Sequence, residues 1–295
     1  MPNNSEPLVE LGGVAMQRGR ANEAFTNLRT ALAMDPRNPS TIRRNGVFEA
    51  YFRRTSDASA SIARALEITP DDPALIALAA DIYQSEGNLA GAEQMLARLP
   101  AQLPPERVAE TCSRMRQLIY QHRNEAVISS LEPIVATPPL SIGTRLSEYH
   151  ILLAMAKRLA GYAAAARDTY ETGRDFLLAA IANSGQTQGR VHAMLGQMYA
   201  GLGQKELALR EAAIAIELEG DDKVLGPAAN KALARIEMQL GEKDAALARV
   251  PQLLAAHYHS WFYFVPITPA LLRLDPTWEP LRGDPRFQKL ANAQP

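Results

Sequence analysis

The apolar positions of this chain come in short bursts at helical spacing, broken at regular intervals by glycine and proline. Leu8, Leu11 and Ala15 fall at i, i+3 and i+7, which predicts one face of a first helix. Gly19 ends that helix. Ala24, Leu28 and Ala31 form the apolar stripe of a second helix. Asp35-Pro36 stops it, because the residue before a proline is pushed out of the α region. The small residues are expected where the two antiparallel helices cross, so that their backbones can approach closely.

This unit, residues 5–38, returns 34 residues later with Gly46, Ala58, Ala65 and Pro70. It returns again with Ala80, Gly87, Ala92 and Pro104, and more weakly with Ala126 and Pro138. The copies are 5–38, 39–72, 73–106 and 107–140. The fourth is degenerate, with Arg114 where a small residue is usual and Pro133 late in its second helix. Residues 141–146 are extra, and a fifth copy restarts near Ser147. Its second helix, from Tyr162 to about Ala182, is expected to be longer than the others, with Ser184-Gly185-Gln186 as its break. A sixth copy spans 189–222 and a seventh runs from Pro227, with Ala234, Gly241 and Ala246. The slip at 141 and the gap after Ala182 are where the curvature of a stacked array is expected to change.

Length alone would suggest two domains for 295 residues. A helix pair cannot cover its own apolar faces, so the copies must stack into one solenoid. A formal net charge of -1 gives no global pull towards nucleic acid. The single cysteine, Cys112, allows no internal disulfide and no cysteine-based metal site. Met1 to Pro7 is polar, with no signal peptide, and no apolar run reaches the roughly 18 residues of a membrane span. A cytoplasmic location follows as an expectation. The array starts almost at Met1, so the chain is equally well a piece cut from a larger protein. A periplasmic location is then open, should that protein be membrane-anchored. Arginine far outnumbers lysine and alanine is abundant, a usage that fits a G+C-rich bacterial genome.

Catalytic signatures are absent: no phosphate-binding glycine loop ending in Gly-Lys-Ser/Thr, no nucleophile elbow, no His-Glu-x-x-His. Gly201-Leu202-Gly203 lies in a helix–helix turn, which accounts for its glycines. His257 and His259 could hold a metal only with a third ligand, and Asp275 would supply it only by chance. Packing or surface roles are expected for both, so no cofactor and no metal are expected. Asp71-Asp72 and Asp221-Asp222 are expected to be solvated turns. Tyr258, Trp261, Phe262, Tyr263 and Phe264 are expected to plug the open face of the last repeat, the alternative being a peptide-holding or membrane-holding cluster. Asp284-Pro285 reads as a helix start, with Asp as cap and Pro at the first helical position, and Asp275-Pro276 as the start of one further turn.

The 34-residue helix–turn–helix pattern resembles the tetratricopeptide repeat family over about residues 5–256. Leu8 and Ile42 stand where the family has a large aromatic. The tail Leu272-Arg273-Leu274-Asp275-Pro276-Thr277-Trp278-Glu279-Pro280-Leu281-Arg282-Gly283-Asp284-Pro285-Arg286-Phe287 is similar to the closing segment of arrays in bacterial signalling proteins. There the array follows a serine/threonine kinase, a nucleotide cyclase or a winged-helix DNA-binding domain. The resemblance implies an all-α, right-handed superhelix over 1–256 with a C-terminal cap over 257–295. It also implies a concave groove lined by fixed positions of each first helix. Here these give Tyr51, Met115, Leu118, Ile119, Ile151, Met155, Arg158, Leu159, Arg190 and Arg235 among others. The apolar, methionine-containing middle is expected to be the groove centre, although packing on adjacent helices explains the same residues. The Lys/Asn arrangement that clamps a terminal carboxylate in chaperone-binding relatives is missing, so no chaperone co-factor is expected. The expected function is non-catalytic binding of a protein or peptide partner, as the regulatory or docking region of a bacterial signalling system. The alternative is a self-association module.

Overall fold

The computed structural model describes residues 5–184, 188–259 and 265–293. Seven antiparallel helix pairs follow one another among them. They are α1 (Glu6–Gln17) with α2 (Ala21–Met34), α3 (Pro39–Tyr51) with α4 (Thr55–Ile68), and α5 (Pro73–Glu86) with α6 (Leu89–Leu96). Then come α7 (Val108–Tyr120) with α8 (Asn124–Ala136), α9 (Leu146–Leu159) with α10 (Ala163–Ser184), α11 (Gly189–Gly201) with α12 (Lys205–Glu219), and α13 (Gly226–Leu240) with α14 (Lys243–Ala255). The tail adds α15 (Pro269–Leu274), a 3₁₀ turn over Pro276–Leu281, and α16 (Pro285–Ala291).

The first helices of successive pairs pack on one another from α3 to α13 and form the inner layer. The second helix of each pair lies outside and leans on the first helix of the next. Small residues set the crossings. Ala24, Ala58 and Ala92 are fully buried, and a methyl group added to Gly46 would come 2.7 Å from Ile62 Cδ1. Each first helix needs a left-handed residue to turn back. Gly19, Gly87, Gly161, Gly203 and Gly241 supply it. Arg53 and His122 hold the same conformation with a side chain, at φ +59° and +58°.

Local chemistry explains several helix starts. Asn38, Asp72 and Asn88 accept from backbone N–H groups of the first turns of α3, α5 and α6. α6 is only 8 residues long. Arg114 replaces the small residue of the fourth pair because its guanidinium donates to the carbonyls of Leu96, Leu99, Pro100 and Ala101, where α6 and the following turn leave them open. The extra residues after 140 form a 3₁₀ turn over Leu140–Arg145. α10 is long, at 22 residues, and the expected break at Gly185-Gln186 lies outside the described residues.

Two expectations need correction. Leu11 is not on the stacking face of α1: it is 54% exposed, whereas Ala15 is buried as expected, with Gly12 and Met16 beside it. Gly12 takes the place expected of Leu11 because α1 packs on α2 through the strip that includes Gly12. The tail is also more than a plug on the last pair. Its end does cover that pair: the 3₁₀ turn packs on α13 and α14, α16 packs on α14, and Trp278 and Phe287 are buried. Its beginning instead crosses to the other side of the superhelix, where α15 packs on α5 of the third pair. Of the five expected plug aromatics only Tyr258 lies within the described residues, and it is fully buried.

Candidate functional site

The inner layer carries a row of polar groups that is not exposed. Arg116 on α7 meets Asp81 on α5 at 2.6 Å, with Ser113 hydrogen-bonded to the same carboxylate. Gln84 donates to Gln117 Oε1 and to the Ser113 carbonyl. Glu148 on α9 pairs with Arg190 on α11. Arg235 on α13 pairs with Asp275 of the tail at 2.6 Å, both side chains 5% exposed. Burial works against the charge on Arg116, yet Asp81 beside it holds the guanidinium firmly protonated. Lys231, on the same helix as Arg235, is pushed well below its ordinary range by burial and by that neighbouring cation. Most of these charges are compensated across a boundary between elements, so they fix the stacking of the pairs.

The end of α14 and the tail are held against this layer by hydrogen bonds that involve main-chain groups on one side or the other. Arg53 Nη2 donates to the Leu253 carbonyl at 2.7 Å, Nη1 to Ile267 at 2.8 Å and Nε to Ala256 at 3.1 Å. Thr268 Oγ1 donates to the Ser85 carbonyl and accepts from Leu271 N at the start of α15. The Tyr258 hydroxyl accepts from Ile267 N. His257 stacks on Phe52 with ring centres 4.6 Å apart, and His259 sits 5.1 Å from Tyr51. Burial first, then Arg190 and Lys231, depress the His259 imidazole to about 4. Among the described residues no group of three potential ligands could hold a metal ion.

The expected groove residues fall into separate places. Tyr51 is covered by His259. Met115 and Ile119 are buried in the main core, and Leu159 is half-buried against it. Leu118 turns to a second, open groove beside Leu96 and Arg114. Arg190 is taken by Glu148 and Arg235 by Asp275. Ile151, Met155, Arg158 and Arg235 do come together, in one cavity of about 140 Å³ that Pro276, Thr277 and Pro280 of the tail help to close. The expected open apolar centre is therefore filled by helix packing and by the chain's own tail. Sequence reasoning missed Arg53, although Gly19 and Gly87 lie 34 residues to either side of it and mark it as a left-handed position. It read Asp275 correctly as a cap, since Oδ1 accepts from Thr277 N at 2.9 Å, and missed its partner.

The family model for the tetratricopeptide repeat matches residues 52–115. PilW, a type IV pilus biogenesis factor, superposes with a TM-score of 0.51 at 17% identity, over 71% of this chain and 90% of that one. A tetratricopeptide repeat protein from Parabacteroides merdae gives 0.46 at 15% identity, over 84% and 91%. At such identity the likeness to PilW speaks for the fold alone. No curated protein matches the sequence.

Proposed function

We propose that this chain, a tetratricopeptide repeat protein, is a non-catalytic docking scaffold and serves as the regulatory or docking region of a bacterial signalling protein. One observation carries the reading: Arg53, at the turn after α3, already holds three main-chain carbonyls of the chain's own C-terminal part, two at the end of α14 and one in the tail. Arg53 and Thr268 bond to backbone atoms rather than to particular side chains. A guanidinium that recognises main-chain carbonyls is suited to a peptide. The closing segment over 272–287 adds the signalling context, by its resemblance to the ends of such arrays.

The test is affinity capture with the intact chain and with Arg158→Glu, a substitution at an exposed position. The expected result is enrichment of a kinase, a cyclase or a winged-helix regulator, weakened by the substitution. Capture of no signalling component, or equal capture by both chains, overturns the reading. Self-association is the second reading, favoured by Leu11 and Val14, which stay 54% and 41% exposed on the outer face of α1. Light scattering decides it: a concentration-independent dimer that Leu11→Glu dissolves would place the function there.

A further inference from the structure

We infer that the cavity between α9, α10, α13 and the tail is a binding site for a carboxylate carried on a short apolar stem. Its cation is Arg158. The inner-layer arginines Arg116, Arg190 and Arg235 each meet a carboxylate of the chain itself. Arg158 makes no ion pair among the described residues, and it lines the cavity together with Tyr170. A guanidinium presents a fork of N–H groups that matches a carboxylate in two places.

A second donor stands beside it. Gln239 Nε2 donates to the Tyr170 hydroxyl at 3.2 Å, and Gln239 Oε1 is buried without a partner. Turning the amide over would let the Tyr170 hydroxyl donate to that oxygen and would leave the NH₂ group without an acceptor. In either orientation this pair keeps one O–H or N–H to give. Two neighbouring donors with no anion are complementary to an oxygen acid. The remaining wall is apolar: Ile151, Met155 and Met238 from the helices, Pro276 and Pro280 from the tail. A volume of about 140 Å³ admits one branched aliphatic or aromatic side-chain-sized group.

The wall is built for the Tyr170 ring. Gly201 lines the same cavity, and a methyl group there would lie 2.4 Å from Tyr170 Cε2. Gly201 is within α11, so it is not a turning residue; the left-handed position of that pair is Gly203. Its missing side chain is what lets Tyr170 stand where its hydroxyl meets Gln239. This site goes beyond the docking role, because it takes a single carboxylate on an apolar stem, whatever carries it, rather than a stretch of main chain.

The probes are isovalerate and benzoate, titrated calorimetrically into the intact chain in a buffer free of carboxylic acids. Isovaleramide and benzamide are the neutral controls. A third arm is a short blocked peptide with a central glutamate. Saturable binding of the acids is expected, with the amides weaker by about tenfold or more, the worth of one charge-assisted hydrogen bond. Arg158→Gln, which removes an exposed side chain, should melt with the wild type and lose acid binding by a similar factor, while Arg158→Lys recovers part. If the free acids alone saturate, the ligand is a small molecule. If the peptide saturates and competes with benzoate, a partner protein delivers the same group. The inference is overturned if no acid or peptide saturates, if amides bind as tightly as acids, or if Arg158→Gln binds like the wild type. None of these outcomes depends on the capture experiment above.

Discussion

Arg53 and Ile267, 214 positions apart, are joined by a 2.8 Å hydrogen bond from Nη1 to the backbone carbonyl. Arg53 holds a left-handed backbone conformation that glycine fills at most of the other turns. An L-residue with a side chain pays roughly 1–2 kcal/mol for that conformation. The return is a guanidinium placed against three carbonyls that would otherwise end α14 and open the tail.

Arg53→Ala keeps the strain and loses the bonds, and should lower stability by about 2–4 kcal/mol. Arg53→Gly loses the same bonds but relieves the strain, so it should be the milder variant by about 1 kcal/mol. Urea unfolding of the two variants measures the difference. Equal loss in both would mean that the turn carries no strain.

Ala58 is fully buried at the crossing of α3 and α4. Ala58→Leu should overpack that crossing and cost about 1–3 kcal/mol. An unchanged melting curve would contradict the close approach at Gly46.

The pair Arg235 and Asp275 ties the tail to α13. Asp275→Asn keeps an oxygen for the cap on Thr277 but removes the counter-charge, and should cost about 3 kcal/mol. Arg235→Met combined with Asp275→Asn should recover most of that, because the buried cation is gone. A double variant no more stable than the single one would show that the charge on Arg235 is not the cause.

His259 stays neutral in the folded chain down to about pH 4, whereas an unfolded histidine takes its proton near its ordinary value of 6.5. The unfolded state thus binds the extra proton, and stability is present above that ordinary value and lost as the pH falls through the window between the two. The His259 share of the loss is on the order of 3 kcal/mol. His259→Gln should flatten the fall in unfolding free energy over that window. If wild type and variant lose stability in parallel, the titrating group lies elsewhere.

The helix pairs were legible because their determinants are local. Period, turn glycine and terminal proline all act within 34 residues. The Asp275 and Asp284 caps were legible for the same reason. The site was legible only as a list of faces. Helical period places Met115 and Ile151 on the inner side, but their exposure depends on what lies across from them: the helix core for Met115, and for Ile151 a cavity that the tail helps to close. Leu11 shows the other limit: one step of about 100° around a helix, from Gly12, takes a side chain from core to solvent. The roles of Arg53 and of Asp275 as an ion-pair partner rest on contacts across the closed superhelix, which no window of sequence contains.

The bond between Lys223 N and Gln17 O, at 2.9 Å, belongs to the same closure, since it brings the first turn against the loop before α13. Arrays of this type can mature one unit at a time, each new unit completing the surface of the one before. Here the early units wait. At roughly 5–20 residues per second, the ribosome delivers Ile267 on the order of 10–40 seconds after Arg53. Throughout that interval the turn at Arg53 and the inner side of α5 have no cover. The nascent chain is therefore most open to other proteins before its own last segment arrives, and a chaperone or an early partner would find its opportunity then.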